Sequence, residues 1–365
     1  MIGLGNSKKK SKFGHEKSSK LDLTEIKTPV DLSNELETVS KVSIKSGNSE
    51  TFINKVKLKP AFESRYVKLI GEENFKCFRE FSNKYIRKSI RVNTLKISVP
   101  ALKKRLEKDW ILEPVPWCKE GFWITYRHGK RYDIGNLPEH QLGYIYVQDA
   151  ASMIPPIVLS PSKDSFVLDS CSAPGSKTSQ IAQYMNNTGL LIANDSQGKR
   201  LSALGINLQR CGVHNAIITK MDGSRIPNQS RLFDYILVDA PCSGTGTIRR
   251  NFKIAEMWSP SLVKRMSRDQ FRLASRAFML LKEGGIMVYS TCTLEPEENE
   301  GIVDAILKKF PEADVLDISL DIKRSSAITS FDGTKYDSRV SKCLRIYPQD
   351  NDSEGFFVAK LTKKH

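Results

Sequence analysis

The chain has 365 residues, enough for one large domain and a smaller one. It has no apolar run of about 18 residues, and its seven cysteines and five histidines include no CxxC pair, which argues against a membrane span, a disulfide scaffold and a zinc module. A net charge of +16 favours a polyanionic partner such as nucleic acid, although a solvated lysine-rich tail would contribute to the same value.

Residues 1–57 are rich in Lys, Ser, Glu and Asn and follow neither a helical nor a strand period, so we predict a basic, disordered tail. Apolar periodicity begins at residue 58. The predicted elements are, in chain order, a helix with Phe62 and Tyr66, a helix with Phe75 and Phe78, a strand over 89–95, a helix opening near Pro100, and strands around 110–115 and 121–126. This order predicts a small α+β module over residues 58–140.

Beyond residue 140, short apolar runs alternate with helical patterns. The predicted strands are 166–168, 190–193, 216–219, 235–238 and 286–289, followed by an antiparallel pair at 344–347 and 356–361. Apolar strands joined by helices form parallel sheets that are covered on both faces. Residues 141–365 are therefore predicted to be an α/β domain, which would bind ligands beyond the carboxyl ends of its strands.

Acidic side chains follow four of these strands. Asp169 closes the first, Asp195 follows the second, Asp222 follows the third and Asp239 ends the fourth. Each alone would be typical of a helix cap, but together they are expected to face one crevice. Asp195 stands where a carboxylate would accept hydrogen bonds from ribose hydroxyls, and Asp222 would face the adenine end of a nucleoside.

The turn after the first of these strands reads DSCSAPGSKT. Ala173, Pro174 and Gly175 allow the backbone to approach a ligand closely before a helix begins. The turn is not a Walker A loop, since Ser176 separates Gly175 from Lys177, and it lacks GxGxxG. We therefore predict a loop that supports a nucleoside cofactor without a pyrophosphate.

Two cysteines follow predicted strands, Cys242 in DAPCSGTG and Cys292 in STCT. A thiolate that adds to C6 of cytosine would make C5 reactive enough to accept a methyl group. A carboxyl group such as Asp239 would supply a proton or hydrogen bond at N3, and a second cysteine would assist when the first is expelled. Four other cysteines are expected to be small buried hydrophobic residues: Cys77, Cys118, Cys211 and Cys343.

At these residues the sequence resembles the Nop/Sun family of RNA cytosine-5 methyltransferases, over most of residues 85–362. The motifs that carry the resemblance are SIRVNTLK, DSCSAPGSKT, ANDSQGKR, KMDGSRIP, VDAPCSGTGTIRRN, STCTLEPEENE and EGFFVAKL. The resemblance implies a Rossmann-like class I methyltransferase fold with S-adenosylmethionine as cofactor. It also implies that Cys292 is the nucleophile, that Cys242 aids release of the methylated RNA, and that Asp239 contacts the cytosine.

The resemblance further implies a cofactor site built from the loop after the first strand and from acids and bases that follow it. Its residues are Cys171, Ser172, Ala173, Pro174, Gly175, Ser176, Lys177, Asp195, Arg200, Asp222 and Asp239. Two positions depart from the family pattern, because Ser172 and Ser176 replace its second alanine and second glycine. Both serines are small, so we expect the loop to bind the cofactor nonetheless.

The family's amino-terminal module helps to bind RNA, and residues 58–140 occupy its place. Four basic residues surround the SIRVNTLK strand, where a solvated basic face is the alternative: Arg87, Lys88, Arg91 and Lys96. The stretch EHQLGYIYVQDAASMIPPIVL is most similar to archaeal and eukaryotic transfer-RNA members, so we expect tRNA rather than rRNA. The target base should be unstacked or flipped. We expect a cytoplasmic monomer without a membrane or metal partner.

Two other classes stay open. An RNA-binding assembly factor could keep this fold without the reaction, although the presence of Cys292, Cys242 and Asp239 argues against it. A nicotinamide-dependent dehydrogenase could also use Asp195 for ribose binding, but it would require the missing GxGxxG.

Overall fold

The computed structural model describes residues 57–227 and 232–364, so the predicted tail lies outside the described residues except for Lys57. The described part opens with two helices, α1 (Pro60–Ile70) and α2 (Glu72–Ser82), as the apolar spacing predicted. Proline suits the first turn of α1, where the backbone N–H groups have no partner within the helix. Gly71 separates the two helices at a φ of 80°, a conformation that a side chain disfavours.

A four-stranded antiparallel sheet with the order β2-β3-β1-β4 follows the helix pair. Its elements are β1 (Ser89–Val92), α3 (Val99–Leu106), β2 (Trp110–Val115), β3 (Cys118–Tyr126), α4 (Pro138–Gln141) and β4 (Ile145–Val147). Ile90, Leu102 and Phe122 belong to a core that the sheet shares with α3. Because β4 pairs with β1, this sheet continues past residue 140, where the sequence predicted that the module would end.

The remaining elements build a larger sheet and the helices around it. They are α5 (Ile154–Leu159), β5 (Phe166–Asp169), α6 (Ser176–Tyr184), β6 (Leu190–Asn194), α7 (Gly198–Cys211), β7 (Ala216–Thr219), β8 (Phe233–Asp239), α8 (Lys253–Met257), α9 (Pro260–Leu280), β9 (Leu281–Thr291), α10 (Glu300–Lys309), β10 (Ala313–Leu316), β11 (Ser330–Phe331), β12 (Thr334–Lys335), β13 (Leu344–Ile346), α11 (Pro348–Asn351) and β14 (Phe356–Lys363). The two shortest strands, β11 and β12, pair only with each other.

The large sheet has the order β10-β14-β9-β8-β5-β6-β7, with β13 paired to β14. The five strands from β5 to β9 are parallel, whereas β14 runs antiparallel between β9 and β10. The predicted fold class, a mostly parallel α/β sheet with a smaller α+β module, is therefore confirmed. The predicted antiparallel pair at the end of the chain is confirmed as well.

Both faces of the central strands are buried, which explains why their sequences are apolar without alternation. Ile236 and Val238 of β8 belong to a core that includes residues of α9 and α10, whereas Leu237 belongs to a second core that includes residues of α5 and α6. Successive side chains of a strand point to opposite faces, so both faces require apolar residues. The carboxyl ends of β5, β6, β8 and β9 consequently meet along one edge.

The helix pair α1–α2 does not share the core of the four-stranded sheet. Phe62, Tyr66 and Phe78 belong to one cluster with Trp258 and Leu294, which follow β8 and β9 in the chain. The rings of Phe62 and Tyr66 stack with centroids 4.1 Å apart, and Trp258 meets Phe62 edge-on at 5.2 Å. The amino-terminal helices are thus packed against the loops at the edge of the large sheet.

Part of the predicted RNA-binding cluster is wrong. Arg91 is fully buried, because both faces of β1 are covered, and its guanidinium donates to Gln148, Ser179 and Gln183. This arginine joins the small sheet to α6 and cannot reach a phosphate. Lys96 is exposed and its ammonium donates to the backbone oxygens of residues 142 and 210, while Arg87 and Lys88 are half-buried.

Three of the four cysteines expected to be buried are buried, namely Cys118, Cys211 and Cys343. The expectation is wrong for Cys77, which lies on the exposed face of α2 because the neighbouring Phe75 and Phe78 supply the buried face. None of the helices within residues 57–227 and 232–364 combines the length and apolar character that a bilayer span requires. Across the same ranges, no group of three or more His, Cys, Asp or Glu side chains is arranged to hold a metal ion.

Candidate active site

Two half-buried cysteines meet at the carboxyl edge of the large sheet. Cys242 lies three residues after the end of β8, Cys292 directly follows β9, and their Sγ atoms are 3.2 Å apart. The neighbouring parallel strands hold Asp239 opposite Ser290, so the chain leaves both strands at the same height. The sequence placed both cysteines at strand ends, and the structure brings them into direct contact.

Backbone and hydroxyl contacts fix the two cysteine loops to each other. The amide of Gly246 donates to the carbonyl of Cys292 over 3.0 Å, and a Cβ at residue 246 would lie only 2.8 Å from that oxygen. Thr293 shares hydrogen bonds with Ser243 at 2.7 Å and with Thr245 at 3.0 Å. These contacts set the distance between the two sulfur atoms.

A lysine and a carboxylate form an ion pair beside the cysteines. Lys177 Nζ lies 2.7 Å from Asp239 Oδ2, and the hydroxyl of Ser290 donates to Asp239 Oδ1 over 2.8 Å. Burial lowers the pKa of Lys177, but Asp239 more than offsets this effect, with a smaller contribution from Cys292, and the pKa is raised. The ammonium therefore stays charged, and a positive charge near a thiol favours the thiolate.

Cys242 is held as a neutral thiol. Its hydrogen bond with Cys292 raises the pKa of the Cys242 thiol well above its usual range, and burial and nearby Glu298 add to the rise. Glu298 Oε2 accepts hydrogen bonds from the amide of Ser243 at 3.0 Å and from Gln270 at 2.7 Å. The sequence analysis gave Glu298 no role, although it lies in the quoted motif STCTLEPEENE.

A cavity of about 320 Å³ opens beside these groups, at the ends of β5, β6 and β8. Four of the predicted cofactor residues line it: Cys171, Asp195, Arg200 and Asp222. Helix α9 forms the opposite wall with residues that the sequence analysis did not identify: Met266, Asp269, Gln270, Arg272 and Leu273. Only packing shows which polar residues of α9 face the cavity.

Asp195 is held in place by its neighbours. Its Oδ1 accepts from the amide of Gln197 at 2.9 Å, its Oδ2 accepts from the amide of Ala173 at 3.2 Å, and Arg200 lies 3.3 Å away. A carboxylate has about four acceptor positions, so it can accept further hydrogen bonds from a ligand. Asp222 is more exposed and accepts from the amide of Ser224 at 3.0 Å.

The six residues of the predicted loop from Ser172 to Lys177 do not line this cavity, and neither does Asp239. Ser172 and Ala173 bond to the strand end that carries Asp195, and the oxygen of Pro174 accepts from Asn207 of α7 at 2.9 Å. Gly175, at a φ of 107°, lies against Leu204 of the same helix. The oxygen of Ser176 accepts a long hydrogen bond from Arg91. The loop therefore shapes the site through its backbone course, and its role in cofactor binding stays a prediction.

Asp169 has an unusual environment below this loop. Its Oδ2 accepts from the hydroxyl of Thr178 at 2.7 Å, but its buried Oδ1 has no hydrogen-bond partner. Burial, with repulsion from Asp239, raises the pKa of Asp169 to about 7. This buried carboxyl oxygen lies one residue before Ser170, which lines the cavity.

Helix α1 supports the cysteine loops from outside. The hydroxyl of Tyr66 bonds to Thr245 at 2.8 Å and to Glu295 at 2.9 Å. The same carboxylate accepts from Trp258 and from Arg65, each over 2.8 Å. Because the hydroxyl of Thr245 also accepts a hydrogen bond from the amide of residue 294 at 2.9 Å, this buried network connects the amino-terminal helices to both loops.

The geometry agrees with comparisons to known proteins. Residues 156–362 match the family model for the 16S rRNA methyltransferase RsmB/F, and residues 58–150 match the model for the N-terminal domain of 16S rRNA methyltransferase RsmF. The tRNA (cytosine(49)-C(5))-methyltransferase of Pyrococcus abyssi is 46% identical over 84% of this chain and 97% of that protein. The ribosomal RNA small subunit methyltransferase F of Vibrio vulnificus is 42% identical over 86% of this chain but only 64% of that longer protein.

Solved structures show the same fold. A methyltransferase homolog protein from Pyrococcus horikoshii superposes with a TM-score of 0.76 at 37% identity, over 87% of this chain and all of that one. NSun6 from the same organism, solved with SFG, gives a TM-score of 0.73 at 25% identity, over 86% of this chain and 98% of that one. The fold is therefore that of a class I methyltransferase, and the chain belongs to the RsmB/F (Nop/Sun) family of RNA cytosine-5 methyltransferases.

Proposed function

We propose that the protein transfers a methyl group from S-adenosylmethionine to C5 of a cytosine in tRNA, through a covalent bond between Cys292 and C6 of the base. The observation that carries this proposal is the 3.2 Å contact between Cys292 and Cys242 beside the Lys177–Asp239 ion pair. The tRNA preference is supported by sequence identity, which is 46% with the tRNA-modifying relative and 42% with the rRNA-modifying one.

The reaction begins with Cys292. Its thiolate donates an electron pair to C6, and the C5–C6 double-bond pair moves into the ring as N3 gains a proton or hydrogen bond. C5 would then take the methyl group, while the sulfonium sulfur of the cofactor keeps the electron pair of the broken sulfur–methyl bond. Loss of the C5 proton to a base restores the double bond and expels the Cys292 thiolate.

Asp239 and Cys242 assist the formation and the cleavage of the bond between Cys292 and C6. Asp239 is oriented by Lys177 and Ser290, so its carboxyl group is positioned to hydrogen-bond the cytosine ring as C6 is attacked. Cys242 stays protonated against the attacking sulfur, which supports a role in release rather than in attack. Ser243, next to Cys242, is bonded to Thr293, next to Cys292, so the two thiols keep their spacing.

The residues around the cavity fit S-adenosylmethionine. Asp195 and Asp222 line the cavity and offer carboxylate oxygens to the hydroxyl and amine donors of a nucleoside. The cofactor, when bound, supplies an electrophilic methyl group on a sulfonium. The remaining predicted contacts from residues 171–177 and Arg200 belong to the same proposal.

Two cysteine variants test the assignment. Cys292→Ser is expected to abolish transfer of labelled methyl groups from S-adenosylmethionine to a tRNA transcript while cofactor binding persists. Cys242→Ala is expected to leave RNA attached to the protein through denaturing electrophoresis, because release is blocked after attack by Cys292. An active Cys292→Ser variant, together with a Cys242→Ala variant that forms no adduct, would reverse the two roles.

The substrate class requires a separate experiment. Transcripts of tRNA and of small-subunit rRNA are methylated in parallel, and bisulfite sequencing locates the modified cytosine. Preferential methylation of rRNA would support the alternative substrate, and failure to methylate either RNA while binding both would favour a non-catalytic assembly factor.

A further inference from the structure

A pocket of about 260 Å³ on the four-stranded sheet combines exposed aromatic rings with basic side chains. Tyr85 and Tyr132 are 59% and 56% exposed, and their ring centroids lie 5.2 Å apart at an interplanar angle of 52°. The two exposed rings lie side by side and form a partly apolar surface at the mouth of the pocket. The pair is open enough to receive a flat group against its faces.

The charged residues of this pocket are all cations. They are Arg87, Lys88, Lys130 and Arg131, and no carboxylate belongs to the described residues that line the pocket. Acidic partners stand further out, since Glu113 pairs with Arg87 and Asp133 pairs with Arg131. Arg87 lies over the ring of Trp123 at 4.2 Å, and Lys88 lies 5.5 Å from the ring centroid of Tyr85. The cations are thus held next to the aromatic surface.

A second pocket adjoins this one and extends to the loop that follows Cys242. Arg87 and Lys88 line both pockets, and the second also includes residues 147–149 and Arg250. Arg250, whose side chain is 58% exposed, pairs with Glu354 at 2.7 Å and with Asp149 at 3.4 Å. An RNA strand that crosses both pockets would run from the aromatic rings towards the loop that carries Cys242.

We propose that Tyr85 and Tyr132 bind the base of one unpaired nucleotide near the target cytosine, while Arg87 and Lys88 contact the adjoining phosphates. This inference rests on the proposed function and deepens it by naming a single-stranded flank as the recognised feature. Every base has a π-face that stacks on aromatic side chains, and cations beside the rings suit the phosphate backbone.

Substitution of the rings tests the proposal with RNA that the wild-type protein methylates. Tyr85→Ala/Tyr132→Ala should raise the KM for RNA about 5-fold or more, whereas Tyr85→Phe/Tyr132→Phe, which keeps both rings, should stay near the wild-type value. Ile206→Ala on α7 is a control for loss of an exposed apolar side chain. Melting temperature and cofactor binding are measured for each variant to exclude a folding defect.

An abasic scan locates the bound nucleotide. Nucleotides on both sides of the target are replaced one at a time by abasic residues, and KM is measured for the wild type and the alanine double variant. At one position the abasic substitution should raise KM about 5-fold or more for the wild type but have no effect on the double variant. Absence of any such position, or a phenylalanine variant as weak as the alanine variant, would overturn this inference. A wild-type protein that methylates no RNA would instead overturn the proposed function.

Discussion

Replacement of Tyr66 by phenylalanine removes one oxygen atom from the contact between α1 and the cysteine loops. That hydroxyl bonds to Thr245 at 2.8 Å and to the carboxylate of Glu295 at 2.9 Å, and both partners are fully buried. A hydrogen bond to a charged group contributes about 1.5–3 kcal/mol, and Glu295 keeps its bonds to Arg65 and Trp258. We expect Tyr66→Phe to lower the free energy of unfolding by about 1.5–3 kcal/mol.

The same change should slow methyl transfer. The hydroxyl of Thr245 forms hydrogen bonds with Thr293 and with the amide of residue 294, so loss of its hydrogen bond with Tyr66 loosens the backbone next to Cys292. A displacement of about 1 Å of a reacting group costs up to about 100-fold in rate, so we expect a decrease of kcat between several-fold and about 100-fold. RNA affinity should change little, because Tyr66 is buried.

Urea denaturation and single-turnover methyl transfer measure the two effects. Tyr235→Phe is the matched control, since its hydroxyl makes one long contact of 3.4 Å to Ser162 and its removal should cost less than about 0.5 kcal/mol. A Tyr66→Phe protein with wild-type stability would refute the energetic argument. A destabilised protein with a wild-type rate would refute the positioning role of α1.

Two further predictions concern buried charges near the cysteine loops. Burial raises the pKa of Glu298 from an ordinary 4.5 to about 7, so its ionisation destabilises the folded state as pH rises through this range. In denaturant titrations, the free energy of unfolding of Glu298→Gln should therefore gain up to about 3 kcal/mol relative to wild type between pH 4.5 and 8. A difference between the two proteins that does not change with pH would contradict this prediction. Arg345→Met leaves the buried Glu300 without its ion-pair partner and should lower the free energy of unfolding by about 3–5 kcal/mol. The double variant Glu300→Gln/Arg345→Met should recover much of this loss. A double variant as unstable as Arg345→Met would contradict the argument.

The local pattern of the sequence was sufficient for the elements and for the position of the cysteines. Apolar periodicity predicted α1, α2, α3 and the strands of both sheets except β4 and β10, because each period depends on neighbouring residues in the chain. The residue that follows a strand is also a local property, so Cys242 and Cys292 were assigned to strand ends before any contact was known. Parallel pairing of β8 with β9 then requires that these ends meet.

The sequence was a poor guide wherever a side chain has two accessible environments. Arg91 lies within the SIRVNTLK strand and Arg87 lies just before it, but Arg91 points towards α6 and is buried, while Arg87 stacks on Trp123 at the surface. The charge and the spacing of the basic residues in the sequence do not distinguish a buried arginine from an accessible one. Only the packing of the second domain against β1 separates the structural arginine from the accessible one.

By itself, then, the sequence determined the strand and helix pattern, the two strand-end cysteines and the family to which they belong. The tertiary structure decided what surrounds them: the 3.2 Å approach of the sulfur atoms, the Lys177–Asp239 pair, the α9 wall of the cavity and the support from Tyr66. The physical reason is the large number of residues that separate the contacting groups along the chain. Tyr66 and Glu295 are 229 residues apart, and a hydrogen bond over that distance leaves no periodic signal in the sequence.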